Sequence, residues 1–110
     1  EYEVVDFKTG KWPQSQSEVE EGLELYIYAR GIEKKKTYEK LPVKASLYFV
    51  EADKQVAIDL DESKVKKAFD EKIKDLIQGI MAEKFDPRPD NFECQRCKYL
   101  DICDAGKSAA

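Results

Sequence analysis

Asp6 and Lys8 stand two residues apart in the run Val4-Val5-Asp6-Phe7-Lys8. Side chains two apart on a strand share a face, so this spacing holds a carboxylate and an ammonium side by side. The pair suits phosphodiester cleavage: a carboxylate can ligate a divalent cation, and an ammonium can steady an attacking water or the developing negative charge. Asp-x-Lys is also a cheap pattern in a chain this rich in charge, and a solvated strand end is the competing reading. Glu21, Glu24 and Tyr28 form a second set. They lie three and four apart, so on a helix they share a stripe and can act together, or they form an exposed acidic flank with an aromatic at its edge. Cys94, Cys97 and Cys103 are the third set. A Cys-x2-Cys knuckle aims two sulfurs at one metal, and Cys103 offers a third. With no fourth cysteine and no histidine in the chain, a closed structural zinc site cannot be built from these residues alone. Three reduced thiols without a metal are the alternative.

These groups need elements to hold them. Tyr2, Val4, Val5 and Phe7 read as a strand with one or both faces buried, ended by a turn at Gly10. Lys11 to Gln16 is a loop. A helix from Ser17 to Arg30 follows, opened by a capping box (Ser17 with Glu20, or Ser15 with Glu18) and closed by Gly31 in the left-handed conformation. Its stripe of Val19, Leu23, Tyr26, Ile27 and Arg30 is expected to face a sheet. After a polar connector, Lys44 to Val50 and Gln55 to Leu60 read as a hairpin around Glu51-Ala52-Asp53-Lys54, its first strand interior to the sheet. Asp61 or Ser63 caps a long helix running to about Lys84, whose stripe of Val65, Phe69, Ile73, Leu76, Ile77, Ile80 and Met81 reads as core. Phe85-Asp86-Pro87-Arg88-Pro89 then forces an extended exit toward the cysteines. The fold class is α/β: a mixed sheet flanked by two helices, with a cysteine-rich C-terminal segment up to Cys103 and a frayed tail over 104–110.

At 110 residues the chain is one domain at most. With 38% charged residues and a net charge of −4, no global basic field draws it to nucleic acid, and any such contact must be local. The candidates are Lys34-Lys35-Lys36, then Lys64 with Lys66 and Lys67, then Arg96 with Lys98; the first two read as solvated faces. The sequence has neither a membrane-spanning apolar run nor a signal-peptide pattern, and three cysteines within ten residues do not make a secreted disulfide framework, so a cytoplasmic protein is expected.

In order, the Val-Val-Asp-Phe-Lys-Thr-Gly run, the helix carrying Glu24-Leu25-Tyr26-Ile27-Tyr28-Ala29, the strand Ser46 to Glu51 and Cys94-x2-Cys97-x5-Cys103 resemble the RecB-type nucleases of the PD-(D/E)XK superfamily, from about Tyr2 to Cys103. These are the nuclease domains appended to recombination helicases and the CRISPR-associated exonucleases. The resemblance implies a partial restriction-endonuclease-like core and a Mg2+- or Mn2+-dependent DNA nuclease, an exonuclease of repair or recombination working with a helicase domain or subunit. It implies Asp6, Lys8, Glu24 and Tyr28 as catalytic residues, with Asp6 and the backbone carbonyl of Phe7 as metal ligands. Glu24 stands where the family usually has the Gln of a Gln-x-x-x-Tyr motif, exchanging an amide for an acceptor-only carboxylate. The resemblance further implies that Cys94, Cys97 and Cys103 belong to a [4Fe-4S] cluster whose fourth cysteine, like a second acidic metal ligand, precedes residue 1. On that expectation the chain is the C-terminal part of a nuclease domain and inactive alone, with an exposed sheet edge open to homodimerisation. A catalytically inactive nuclease-like module that binds DNA or a partner is the alternative, and a small metal-binding structural domain is a third reading.

Overall fold

The computed structural model describes all residues, Glu1–Ala110. They form two compact units, Glu1–Ile77 and Gln78–Ala110. The first is α/β, built on a three-stranded mixed sheet of β1 (Glu3–Lys8), β2 (Lys44–Phe49) and β3 (Lys54–Asp59) in the order β1-β2-β3. β2 is central, as its two apolar faces require. β1 pairs with it in parallel, Asp6 opposite Leu47 and Lys8 opposite Phe49. β3 pairs with it antiparallel through a tight turn in which Asp53 takes a positive φ of 50°, a conformation that Asp tolerates better than most residues.

A parallel pair needs a crossover between its strands, and α1 (Gln16–Glu21) and α2 (Glu24–Lys34) supply it. The single helix expected from Ser17 to Arg30 is therefore two. Ser15 is the N-cap, its hydroxyl accepting the Glu18 amide, and α1 stops at Gly22, whose extended backbone (ψ 161°) breaks the helix. The break resets the helical phase. Leu25 and Ala29 become the buried positions, Tyr26 packs half-buried at the edge of the core, and Ile27 is turned out of it. Gly31 lies inside α2, which continues to Lys34, so it is not the left-handed closing residue.

Asp61 caps α3 (Glu62–Ala68) by accepting the Lys64 amide. A wider π-helical turn, Phe69–Ile73, leads into α4 (Lys74–Met81). Val65, Ala68 and Ile73 are buried, but Leu76 and Ile77 are 53% and 50% exposed, so the long apolar stripe is core over its first half only. Opening the helix by one residue turns the following face by roughly 100° relative to the regular phase. The core consists of Leu25 and Ala29 from α2, Ala45, Leu47 and Phe49 from β2, Val56 and Ile58 from β3, and Val19, Leu60 and Val65 around them. Arg30 ties α2 to α3, donating to Glu62 at 2.8 Å and Glu33 at 2.5 Å while lying over the Phe69 ring. The second unit contains the short α5 (Asn91–Gln95), a 3₁₀ turn at Leu100–Ile102 and α6 (Asp104–Ala109). The segment expected to fray past Cys103 is thus helical, its first turn held by Gly106 N–H donating to Cys103 Sγ.

Candidate active site

β1 is an edge strand whose residues alternate between exposed and half-buried. That alternation turns Val4, Asp6 and Lys8 toward the helices and leaves Glu3, Val5 and Phe7 on the open face. Asp6 and Lys8 therefore share a face, as their spacing requires, with 3.0 Å between Lys8 Nζ and Asp6 Oδ2. α2 crosses above them and brings Glu24 from its first turn. Lys8 Nζ donates to Glu24 Oε1 at 2.6 Å, and Tyr28, one helical turn further on, donates its hydroxyl to the same oxygen at 3.0 Å. All four residues expected to be catalytic thus meet in one connected cluster. Glu21 stays outside it: its carbonyl accepts from Lys72 instead.

The charges reinforce one another. The hydrogen bond to Glu24 first, and then the adjacent Asp6 carboxylate, hold the lysine well above its usual range, so it is an ammonium at every physiological pH. The Lys8 hydrogen bond lowers the Glu24 carboxyl, and donation to Glu24 raises the Tyr28 phenol. A lysine so held cannot serve as a proton acceptor, and its chemistry is that of a fixed positive charge with three donors.

Asp6 Oδ2 is buried and close to the ammonium but accepts no aligned hydrogen bond. A buried carboxylate oxygen that is ion-paired but has no aligned donor keeps a lone pair suited to a hard cation. The backbone agrees. The carbonyls flanking the site on the β2 side are Tyr2, accepting from Val43, and Lys8, accepting from Val50. The alternation of the ladder therefore directs the Phe7 carbonyl to the unpaired edge of β1, where it is available as a second oxygen ligand.

Beside the cluster lies an apolar groove of about 450 Å³, lined by Val4, Ile27, Tyr28, Gly31, Ile32 and Lys35. Sequence reasoning missed it because Ile27 was assigned to the core. The i, i+4 spacing of Ile27 with Gly31, next to Tyr28, was the available signal. Of the cysteines, Cys97 is exposed, while Cys94 and Cys103 are half-buried, their sulfurs accepting the amides of Asp90 and Gly106 at 3.3 Å. No three His, Cys, Asp or Glu side chains are gathered as a metal centre would gather them. The three thiols as arranged do not by themselves form a ligand set.

The PD-(D/E)XK nuclease superfamily matches residues 1–104, and the chain belongs to that superfamily. Neither a curated protein nor a solved structure gives a match. Membership implies a nuclease that binds nucleic acid and uses Mg2+ or Mn2+, and no helix is long and apolar enough to cross a membrane.

Proposed function

We propose that the protein is a metal-dependent deoxyribonuclease of the RecB type, an exonuclease acting in DNA repair or recombination beside a helicase. The observation that carries the nuclease reading is the convergence of Asp6, Lys8, Glu24 and Tyr28, from two elements, into one hydrogen-bonded cluster. A divalent cation at Asp6 and the Phe7 carbonyl would supply Lewis-acid charge at the scissile phosphate. Lys8 donates toward the oxygen on which negative charge develops, and its fixed charge needs no proton uptake to do so. Asp6 holds its carboxylate rigid because the strand backbone on both sides of it is paired with β2. The unpaired edge of β1 supports a further acidic ligand arriving on a neighbouring strand. The iron–sulfur reading of Cys94, Cys97 and Cys103 rests on the family resemblance that their spacing carries, with a fourth thiolate from outside residues 1–110.

The test is cleavage of single-stranded and duplex DNA by the complete protein, with and without Mg2+ or Mn2+, beside Lys8→Ala. Metal-dependent cleavage that falls by roughly 10²–10³-fold in the variant, with DNA binding largely retained apart from the one phosphate contact Lys8 can make, is expected. Intact DNA from a folded, metal-loaded wild-type protein would sink the reading.

A further inference from the structure

Lys8 is the group that must be aimed, and the structure shows what aims it. Its side chain is 33% exposed and reaches the site on four flexible carbons, which alone would leave the ammonium free to wander. Asp6 lies within 3.0 Å of it without an aligned hydrogen bond. The aligned acceptor is Glu24 Oε1, at 2.6 Å. That oxygen also receives the Tyr28 hydroxyl, so the phenol is turned toward the carboxylate and fixes its orientation along the helix.

We infer that Glu24 and Tyr28 are positioning residues arranged in series, Tyr28 holding Glu24 and Glu24 holding the Lys8 ammonium, and that neither acts by contacting the nucleic acid. The inference rests on the nuclease reading for its consequence, though not for its geometry. It also explains why a carboxylate serves where the resemblance leads one to expect an amide. Both hydrogen bonds end on one oxygen, and a Gln carbonyl, with two lone pairs, would accept the same two. The second carboxylate oxygen of Glu24 is not needed for either bond.

Series action makes a distinctive set of expectations. Glu24→Ala frees the ammonium and lowers kcat by roughly 10²-fold with KM little changed, since misplacing a reacting group costs about that much. Tyr28→Phe removes one charge-assisted hydrogen bond onto Glu24 and lowers kcat by roughly 10-fold, less than Glu24→Ala does. The double variant is no slower than Glu24→Ala alone, because once the carboxylate is gone the phenol has nothing to hold. Glu24→Gln restores most of the lost rate. Glu24 is 42% exposed, so none of these changes strikes the core.

The decisive measurement does not need cleavage. In ¹⁵N-labelled protein the Lys8 ammonium gives its own proton–nitrogen NMR signal only while it is held and its exchange with water is slow. The expected result is a sharp signal in the wild type, one lost in Glu24→Ala, weakened in Tyr28→Phe and retained in Glu24→Gln. A signal that survives Glu24→Ala would overturn the inference, since Asp6 would then suffice. Kinetic losses that multiply in the double variant and fall on KM would also overturn it, by showing direct contact with nucleic acid. A Glu24→Gln defect rescued by raising Mg2+ would do the same, making Glu24 a metal ligand. Absence of cleavage by the wild type with the expected NMR pattern would fail the nuclease reading alone.

Discussion

Arg30 shows how one side chain can be worth more than its charge suggests. It donates to Glu33 and Glu62, caps the Phe69 ring, and so joins α2 to α3. The Arg30 hydrogen bond holds the Glu62 carboxyl below the usual range. A carboxyl lowered in the folded state contributes stability that is fully present above its unfolded pKa and is lost as pH falls through the folded value. Glu62→Gln is therefore expected to reduce stability at neutral pH and to flatten the loss on acidification, a difference that urea midpoints measured at pH 7 and near pH 3 would show. Equal wild-type and variant slopes between those pH values would remove the linkage. The chemistry-bearing residues were readable at this scale where a local period joins them. Asp6 with Lys8 follows from the strand period and Glu24 with Tyr28 from the helical turn. Their union into one cluster was not readable by that route, because Lys8 meets Glu24 across 16 residues and only the parallel pairing of β1 with β2 brings α2 over the strand. It came instead from the family resemblance.

Among the elements, the two helical stretches depart from their sequence patterns for the same reason, a change of phase that hydrophobic spacing does not register. Gly22 divides the first stretch and hands the core to Leu25 and Ala29. The π-helical turn at Phe69–Ile73 interrupts the second and leaves Leu76 and Ile77 half-exposed. The hairpin and its central strand were legible, because two runs of strand-forming residues around a short polar turn admit few alternatives. The phase shifts make a measurable contrast. Leu25→Ala removes a side chain that is 2% exposed and is expected to cost about 2–5 kcal/mol. Ile77→Ala, on a stripe equally apolar in sequence, is expected to cost under about 1 kcal/mol. Chemical denaturation of the two variants at one pH decides it, and equal losses would mean that the second stretch packs along its whole length.

For the molecule as a whole, a net charge of −4 sets how it can approach a polyanion. Long-range repulsion must be overcome by a few local contacts, and the structure offers Lys8 in the cluster and Lys35 at the rim of the adjoining groove. Each phosphate neutralised releases condensed counterions and adds about −0.9 to the slope of log K against log salt for duplex DNA. Two or three such contacts predict a shallow slope of roughly −2 to −3. The measurement is equilibrium binding of this 110-residue chain to a labelled duplex in EDTA, which prevents cleavage, over a range of monovalent salt. Lys35→Ala should weaken binding to all sequences alike and reduce the slope by about one contact. A slope as steep as about −6 would place the main contacts on another basic surface, and Lys64, Lys66 and Lys67, read as a solvated face, would be the first residues to replace.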